Sequence, residues 1–263
     1  MSEPVLLRND HGAIATLTLN RPNGLNALSE AMIAALSAEL DQLARDRRIR
    51  AVILKGAGKA FCAGHDLKEM TNGRQAADGG RAYFNALFAQ CAEMMQKIVH
   101  LPQPVIAQAH GIATAAGCQL VATCDLAIAA DDARFGVNGV NIGLFCSTPM
   151  VALSRNIPRK AAMEMLTTGK FISAPDAERL GLINRAVPPD ALGDATTDLA
   201  ESIAAKLGAA VKIGKSAFYE QLALPLDQAY AHTAAVMAEN MLWRETEEGI
   251  AAFLEKRDPD WTQ

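Results

Sequence analysis

Two stretches of this chain place chemistry on the backbone. One is His110 to Asp125, HGIATAAGCQLVATCD, which follows the apolar run Val105-Ile106-Ala107-Gln108-Ala109. From Gly111 to Cys118 its side chains are small apart from Ile112, so the backbone can come very close to a neighbour. The other is Ala60 to Met70, AFCAGHDLKEM. In each, a strand opens through small residues into a helical turn. Free N–H groups are then exposed at the positive end of a helix. Such groups suit a phosphate or a developing oxyanion. The same small residues would also serve tight packing of a buried helix. Two loops of this kind, following neighbouring strands, can aim two N–H groups at one point.

Few side chains accompany them. His65 sits inside the second loop and Gln119 inside the first helix; Cys146 and Ser147 lie in GVNIGLFCSTP, Gly139 to Pro149. A nucleophilic cysteine needs a lowered pKa and a nearby base. His65 is a candidate base, against an inert buried thiol. Asp66 suits a helix cap. His110 suits a bond within its own turn. Other motifs fail on one residue each. Gly56-Ala57-Gly58-Lys59 has Ala60 where a phosphate loop needs Ser or Thr, and Phe61 stands where a dinucleotide fingerprint needs its third glycine. No HExxH or Cys–His cluster suggests a metal.

The elements that must position these residues follow from periodicity. Val5 to Arg8 and Ile14 to Leu19 read as strands joined by a turn at Asn9 to Gly12. Ser29 caps a helix through Met32, Ile33, Leu36, Leu40 and Leu43. Ala51 to Lys55 is a strand, so the helix is a right-handed parallel crossover. Thr71 to Gly80 reads as a loop, and Arg81 to His100 as a long amphipathic helix ended by Pro102 and Pro104. Leu126 to Ala130 and Arg134 to Val137 are further strands, with Gly139 to Pro149 a loop. Ser173 and Asp176 form a capping box around Pro175. Helices are expected over 192–207, 211–222, 225–242 and 245–257. This divides the chain into an α/β core, 1–190, and a helical C-terminal region, 191–263.

Composition excludes several classes. The 263 residues are half apolar, with a net charge of −4, which gives no reason to expect nucleic acid or anionic membrane as partner. Five cysteines without a CxxC pair fit free thiols in a reducing compartment. No run of membrane-span or signal length is present, so a cytoplasmic protein, or a matured organellar one, is expected.

With Asn20-Arg21-Pro22, Asn26-Ala27-Leu28, Phe61-Cys62-Ala63-Gly64-His65-Asp66-Leu67, the central stretch, Gly181-Leu182-Ile183 before Val187-Pro188, and Phe253 to Arg257, the chain resembles the crotonase (enoyl-CoA hydratase/isomerase) superfamily from end to end. The resemblance implies a spiral of ββα units with a helical C-terminal region that trimerises, often as a dimer of trimers. It implies an acyl-CoA thioester as ligand, with coenzyme A part of the substrate and no separate cofactor. By match, the thioester oxygen sits between the backbone N–H groups of His65 and Ala116, where the family usually has glycine at the second position. The same match puts Ala63, Asp66, Leu67 and Lys68 along the substrate and Cys146 and Ser147 on the acyl loop. Arg21, Lys68 and Lys256 become candidates for the CoA phosphates, Lys256 by reaching a neighbouring subunit.

The resemblance also shows a departure. A hydratase carries two glutamates for water activation and proton transfer. Their matches here are Gln119 and Gly139, and an isomerase acid matches Ser147. Three readings follow: chemistry that leans on the oxyanion hole, such as decarboxylation or thioester cleavage; hydration or isomerisation by displaced acids; or a silent acyl-CoA-binding protein. Decarboxylating relatives also carry a histidine at the match of His65. Restored hydration in Gln119→Glu with Gly139→Glu would show that the scaffold is intact and only the acids are missing.

Overall fold

A computed structural model describes residues 3–261. β1 (Leu6–His11) and β2 (Ile14–Leu19) pair antiparallel from Leu6 opposite Leu19 to His11 opposite Ile14. The turn is therefore shorter than the expected Asn9–Gly12: Asn9, Asp10 and His11 stay in the ladder, on an edge strand where their side chains meet water, and Gly12 turns the chain at φ +56°. α1 (Glu30–Leu43) starts where Ser29 Oγ accepts from the Met32 amide at 3.2 Å, and it buries Met32, Ile33, Leu36, Leu40 and Leu43. β3 (Ala51–Gly56) then lies parallel to β2.

α2 (Leu67–Gly73) occupies the first part of the expected 71–80 loop, and α3 (Arg81–His100) follows. Next come β4 (Val105–Ala109), β5 (Ile112–Thr114), α4 (Ala116–Thr123), β6 (Leu126–Ala130) and β7 (Arg134–Gly136). The expected loop after β7 begins as a 3₁₀ turn, Asn138–Ile142. α5 (Pro149–Asn156), α6 (Arg159–Thr168), β8 (Ile172–Ser173), α7 (Ala174–Leu180) and β9 (Arg185–Val187) complete this part. Ser173 caps α7 by accepting from the Asp176 amide. The C-terminal helices are α8 (Leu192–Ala204), α9 (Gly208–Gln221), α10 (Leu226–Met241) and α11 (Arg244–Glu255).

The main sheet has the order β1-β2-β3-β4-β6-β9, parallel from β2 onward, and β5-β7-β8 form a second, smaller sheet. Helices cover both faces of the main sheet, so its central strands are apolar on both sides. Val52 and Leu54 of β3 face the large core with α1 and α3, while Ala51 and Ile53 pack with Ile106 against Ala200 of α8. Each fully buried Leu or Ile in these clusters contributes about 2 kcal/mol. Gly111, at φ +60°, turns the chain from β4 into β5, where a Cβ would strike the Lys59 carbonyl.

Candidate active site

The two small-residue loops lie side by side. Cys62 and Ala113 form a parallel bridge: the Cys62 amide donates to Ile112 O at 3.2 Å and the Thr114 amide to Cys62 O at 3.0 Å. Counting three residues on from each bridged residue reaches His65 and Ala116. The loops stay in contact over that distance. A Cβ on Gly64 would lie 3.0 Å from Ala115 Cβ and 3.3 Å from the Ala116 nitrogen, and a Cβ on Gly117 would strike the Cys62 carbonyl. Among the described residues, neither the His65 nor the Ala116 N–H has a hydrogen-bond partner. Ala116 stands at the first position of α4.

The pieces around it are pinned by residues that sequence reasoning took only as motif. Asn26 is fully buried and in the left-handed region at φ +53°. Its side chain accepts from the Arg21 amide at 2.9 Å and donates to Ala57 O and Ala60 O, both at 2.8 Å, so it fixes the entry to the His65 loop. Leu28 bridges His65 from the other side, with its amide on Gly64 O at 2.7 Å. Thr114 Oγ1 donates to Asn138 Oδ1 at 2.6 Å and ties β5 to the 3₁₀ turn. Ala115 stands at φ 49°, ψ −120°, a conformation strained for any residue but glycine.

Asp66 does what was expected of a cap: its carboxylate accepts from the Lys68 and Glu69 amides and also takes Arg21 Nη2 at 3.1 Å. Burial alone would raise its pKa, but these donors, the Lys68 amide first, hold the carboxyl below the ordinary aspartate value. Arg21, expected to meet CoA phosphates, is thus engaged with Asp66. Lys68 is exposed and enters no ion pair among the described residues. Ala63 is half-buried, with its amide on Leu25 O, and Leu67 is exposed. Lys256 caps α11 in the left-handed conformation and is exposed; α11 packs on α10.

His65 rests edge-on against Phe88, with ring centroids 5.5 Å apart. Burial lowers its pKa, opposed in part by the Leu28 backbone. Gln119 is buried on α4, its amide N–H on Ala115 O. Cys146 is buried, and burial pushes its thiol pKa up. Ser147 is exposed and its Oγ only reaches Phe145 O at 3.5 Å. Around it Ile142, Leu144, Phe145 and Val151 are exposed apolar residues. His110 bonds Gly58 O at 2.9 Å, as its turn role requires.

Gly139 bears on the variant that would place a glutamate there. It is buried in the 3₁₀ turn and accepts from the Leu144 amide at 2.9 Å. A Cβ there would strike the Leu144 carbonyl and lie 2.9 Å from Cys146 Sγ. A glutamate at 139 displaces the 144–146 loop, so Gln119→Glu with Gly139→Glu does not restore an acid pair on an intact scaffold.

Residues 9–263 match the family model for enoyl-CoA hydratase/isomerase. The chain belongs to the enoyl-CoA hydratase/isomerase family. A frog (Xenopus laevis) relative, enoyl-CoA hydratase domain-containing protein 3, mitochondrial, is 46% identical over 98% of this chain and 85% of its own length. The crystal structure of an enoyl-CoA hydratase from Mycobacterium smegmatis superposes with a TM-score of 0.95 at 56% identity, covering 98% of this chain and 99% of that one. The human enoyl-CoA hydratase domain-containing protein 3 structure gives 0.93 at 42% identity, over 98% of this chain and 100% of that one. The similarity runs through both loops and the C-terminal helices, so the crotonase-like α/β fold holds for the whole chain. Among the described residues no helix is long and apolar enough to cross a membrane, and no group of three His, Cys, Asp or Glu side chains is placed to hold a metal.

Proposed function

We propose that this chain binds acyl-CoA thioesters and polarises the thioester carbonyl between the N–H groups of His65 and Ala116, and that it is a poor hydratase. The observation that carries this reading is the in-register pair of loops ending in two unpartnered amides. As electrons move onto the thioester oxygen, two fixed donors hold the developing charge better than they hold the neutral carbonyl. Each such donor contributes about 3 kcal/mol to the transition state. Hydration also needs a group that activates water and one that delivers a proton. An amide at 119 and no side chain at 139 supply neither.

The alternatives are decarboxylation, thioester hydrolysis, or binding without turnover. A cysteine-linked thioester cleavage is disfavoured by the raised pKa of Cys146. The exposed apolar faces of α9, α10 and α11 support assembly as a homotrimer or a dimer of trimers. All five cysteines are free and buried, which fits a reducing compartment, the cytoplasm or a mitochondrial matrix alike.

The test is the loss of conjugated-enoyl absorbance when protein meets crotonyl-CoA at neutral pH, paired with calorimetric binding of the same thioester. Tight binding with little loss of absorbance is expected. Rapid loss means that another acid–base pair serves the site; no binding overturns the acyl-CoA reading.

A further inference from the structure

Apart from the candidate active site, the structure holds a cavity of about 630 Å³ at the carboxyl ends of β2, β3, β4 and β6. In open parallel sheets, ligands gather at that edge. Thr18, Lys55 and Gln108 line the cavity and are cross-strand partners: Thr18 stands opposite Lys55, and Lys55 opposite Gln108. Their side chains therefore form one row on one face of the sheet. Further back on that face Ile14, Ile53 and Ile106 pack with Ala200 of α8. The face turns from apolar to polar where the cavity begins. Lys59, His110 and Asp132 complete the polar lining. α8 also starts there, at Leu192 and Gly193, with no side-chain cap, and the amides of these two residues have no partner among the described residues. Arg21, His65, Lys68, Ala116 and Gln119 do not line this cavity.

Lys55 is the residue that asks for a ligand. It is half-buried, and among the described residues its ammonium has no partner. Arg8, Arg21, Lys97 and Lys215 are half-buried too, and each holds a carboxylate, from Glu39, Asp66, Asp41 and Asp125. The side chains of Thr18, Lys59, Gln108 and Asp132 likewise form no hydrogen bond or ion pair among the described residues. Going beyond the acyl-CoA reading, we propose that this cavity is a separate site for a phosphorylated sugar, with the phosphate held by Lys55, Lys59 and the first turn of α8. Two ammonium groups beside a helix N-terminus favour a dianion. Asp132 accepts from hydroxyls and repels a second anionic group, so a sugar suits the rest of the lining better than a dicarboxylate or a polyphosphate does. Thr18 and Gln108 add donors and acceptors for further hydroxyls. No Phe, Tyr or Trp lines the cavity to stack on a base, which disfavours a nucleotide. The volume is that of a small-molecule pocket, well above what a bare phosphate fills.

Calorimetric titration of the whole protein with ribose 5-phosphate, glucose 6-phosphate, inorganic phosphate, ribose and adenosine monophosphate tests this. One of the two sugar phosphates is expected to bind about tenfold tighter than inorganic phosphate, adenosine monophosphate no tighter than that sugar phosphate, and ribose not at all. Saturating coenzyme A should leave the sugar-phosphate affinity unchanged. Lys55→Gln should weaken it about tenfold, with the circular dichroism of the fold unaltered. The wild-type titrations need no variant, so a misfolded Lys55→Gln leaves the proposal testable. Binding of neither sugar phosphate, or inorganic phosphate binding as tightly as both, overturns the proposal. Tighter binding of adenosine monophosphate overturns the sugar assignment, and competition by coenzyme A overturns the separate site. Unchanged affinity in a folded Lys55→Gln places the phosphate elsewhere and overturns it as well. Each of these failures leaves the acyl-CoA reading standing.

Discussion

Ala115 concentrates the tension of the site in one residue. At φ 49°, ψ −120° its methyl group is strained, at a cost of about 1–3 kcal/mol, yet the position opens α4, which begins at Ala116. Glycine would relieve the strain and cost about 0.5–1 kcal/mol in chain entropy. Ala115→Gly should therefore stabilise the fold by about 1 kcal/mol and raise Tm by about 2 °C in a thermal scan. A lower Tm would show that the methyl contact with the Gly64 loop outweighs the strain. Gly139→Ala goes the other way: its Cβ meets the Leu144 carbonyl, so a loss of about 2 kcal/mol in denaturant unfolding is expected. His65 gives a pH signature. Folding lowers its pKa below the ordinary 6.5, so between the two values the unfolded chain binds the extra proton. Its contribution to stability is complete above about 6.5 and is lost as pH falls through the folded value. His65→Phe should flatten that part of the stability–pH curve; an unchanged slope would mean the ring stays solvated. The side-by-side approach of the two small-residue loops was legible from their sequence pattern. The obligate glycine at 139 was not, because the carbonyl it accommodates belongs to a turn with no periodic pattern.

Elements were legible where a local signal marked their ends. Ser29, Asp66 and Ser173 each accept a first-turn amide, and α3 spans the stretch its apolar spacing indicates. β5 and the 3₁₀ turn after β7 carry no such signal: three residues of parallel pairing are too short to show an alternation. The anchor of α9 was equally hidden. Lys215, 90 residues beyond Asp125, places its ammonium on Asp125 Oδ2 at 2.7 Å, Ile98 O at 3.0 Å and Gln103 O at 3.1 Å. Asp125 Oδ1 takes the Tyr219 hydroxyl at 2.9 Å, and Oδ2 also takes the Val105 amide at 2.7 Å. Burial pulls the Lys215 pKa down and Asp125 restores part of it. Asp125 directly follows the C-cap of α4, so this buried cluster fastens α9 to the far end of the helix that begins at Ala116. Removing one partner leaves the other charge uncompensated. Lys215→Met should cost about 3 kcal/mol, read by denaturant unfolding, and should speed hydrogen exchange in α9 before it does so in β3 or β4. Uniform protection across both would show that α9 is held by packing alone.

At the scale of the molecule, the interior and the C-terminal surface follow opposite rules. The sheet buries apolar residues on both faces, yet Leu226, Leu242, Phe253 and Leu254 on and around α10 and α11 are 73–82% exposed. Covering each would contribute about 2 kcal/mol, and their repetition along successive helices fits a surface shared between copies of the chain. Sedimentation at micromolar concentration should show a trimer or hexamer for the wild type and a monomer for Leu242→Asp with Phe253→Asp; a monomeric wild type would overturn the assembly. The same pair of proteins tests Lys256, which sits at the end of α11. If it meets the CoA phosphates of a neighbouring subunit, the monomeric variant loses affinity for a CoA thioester but binds the matching pantetheine thioester, which lacks those phosphates, as well as the wild type does. Equal losses for both thioesters would place the defect in the oxyanion loops, and no loss for either would leave Lys256 a solvated charge.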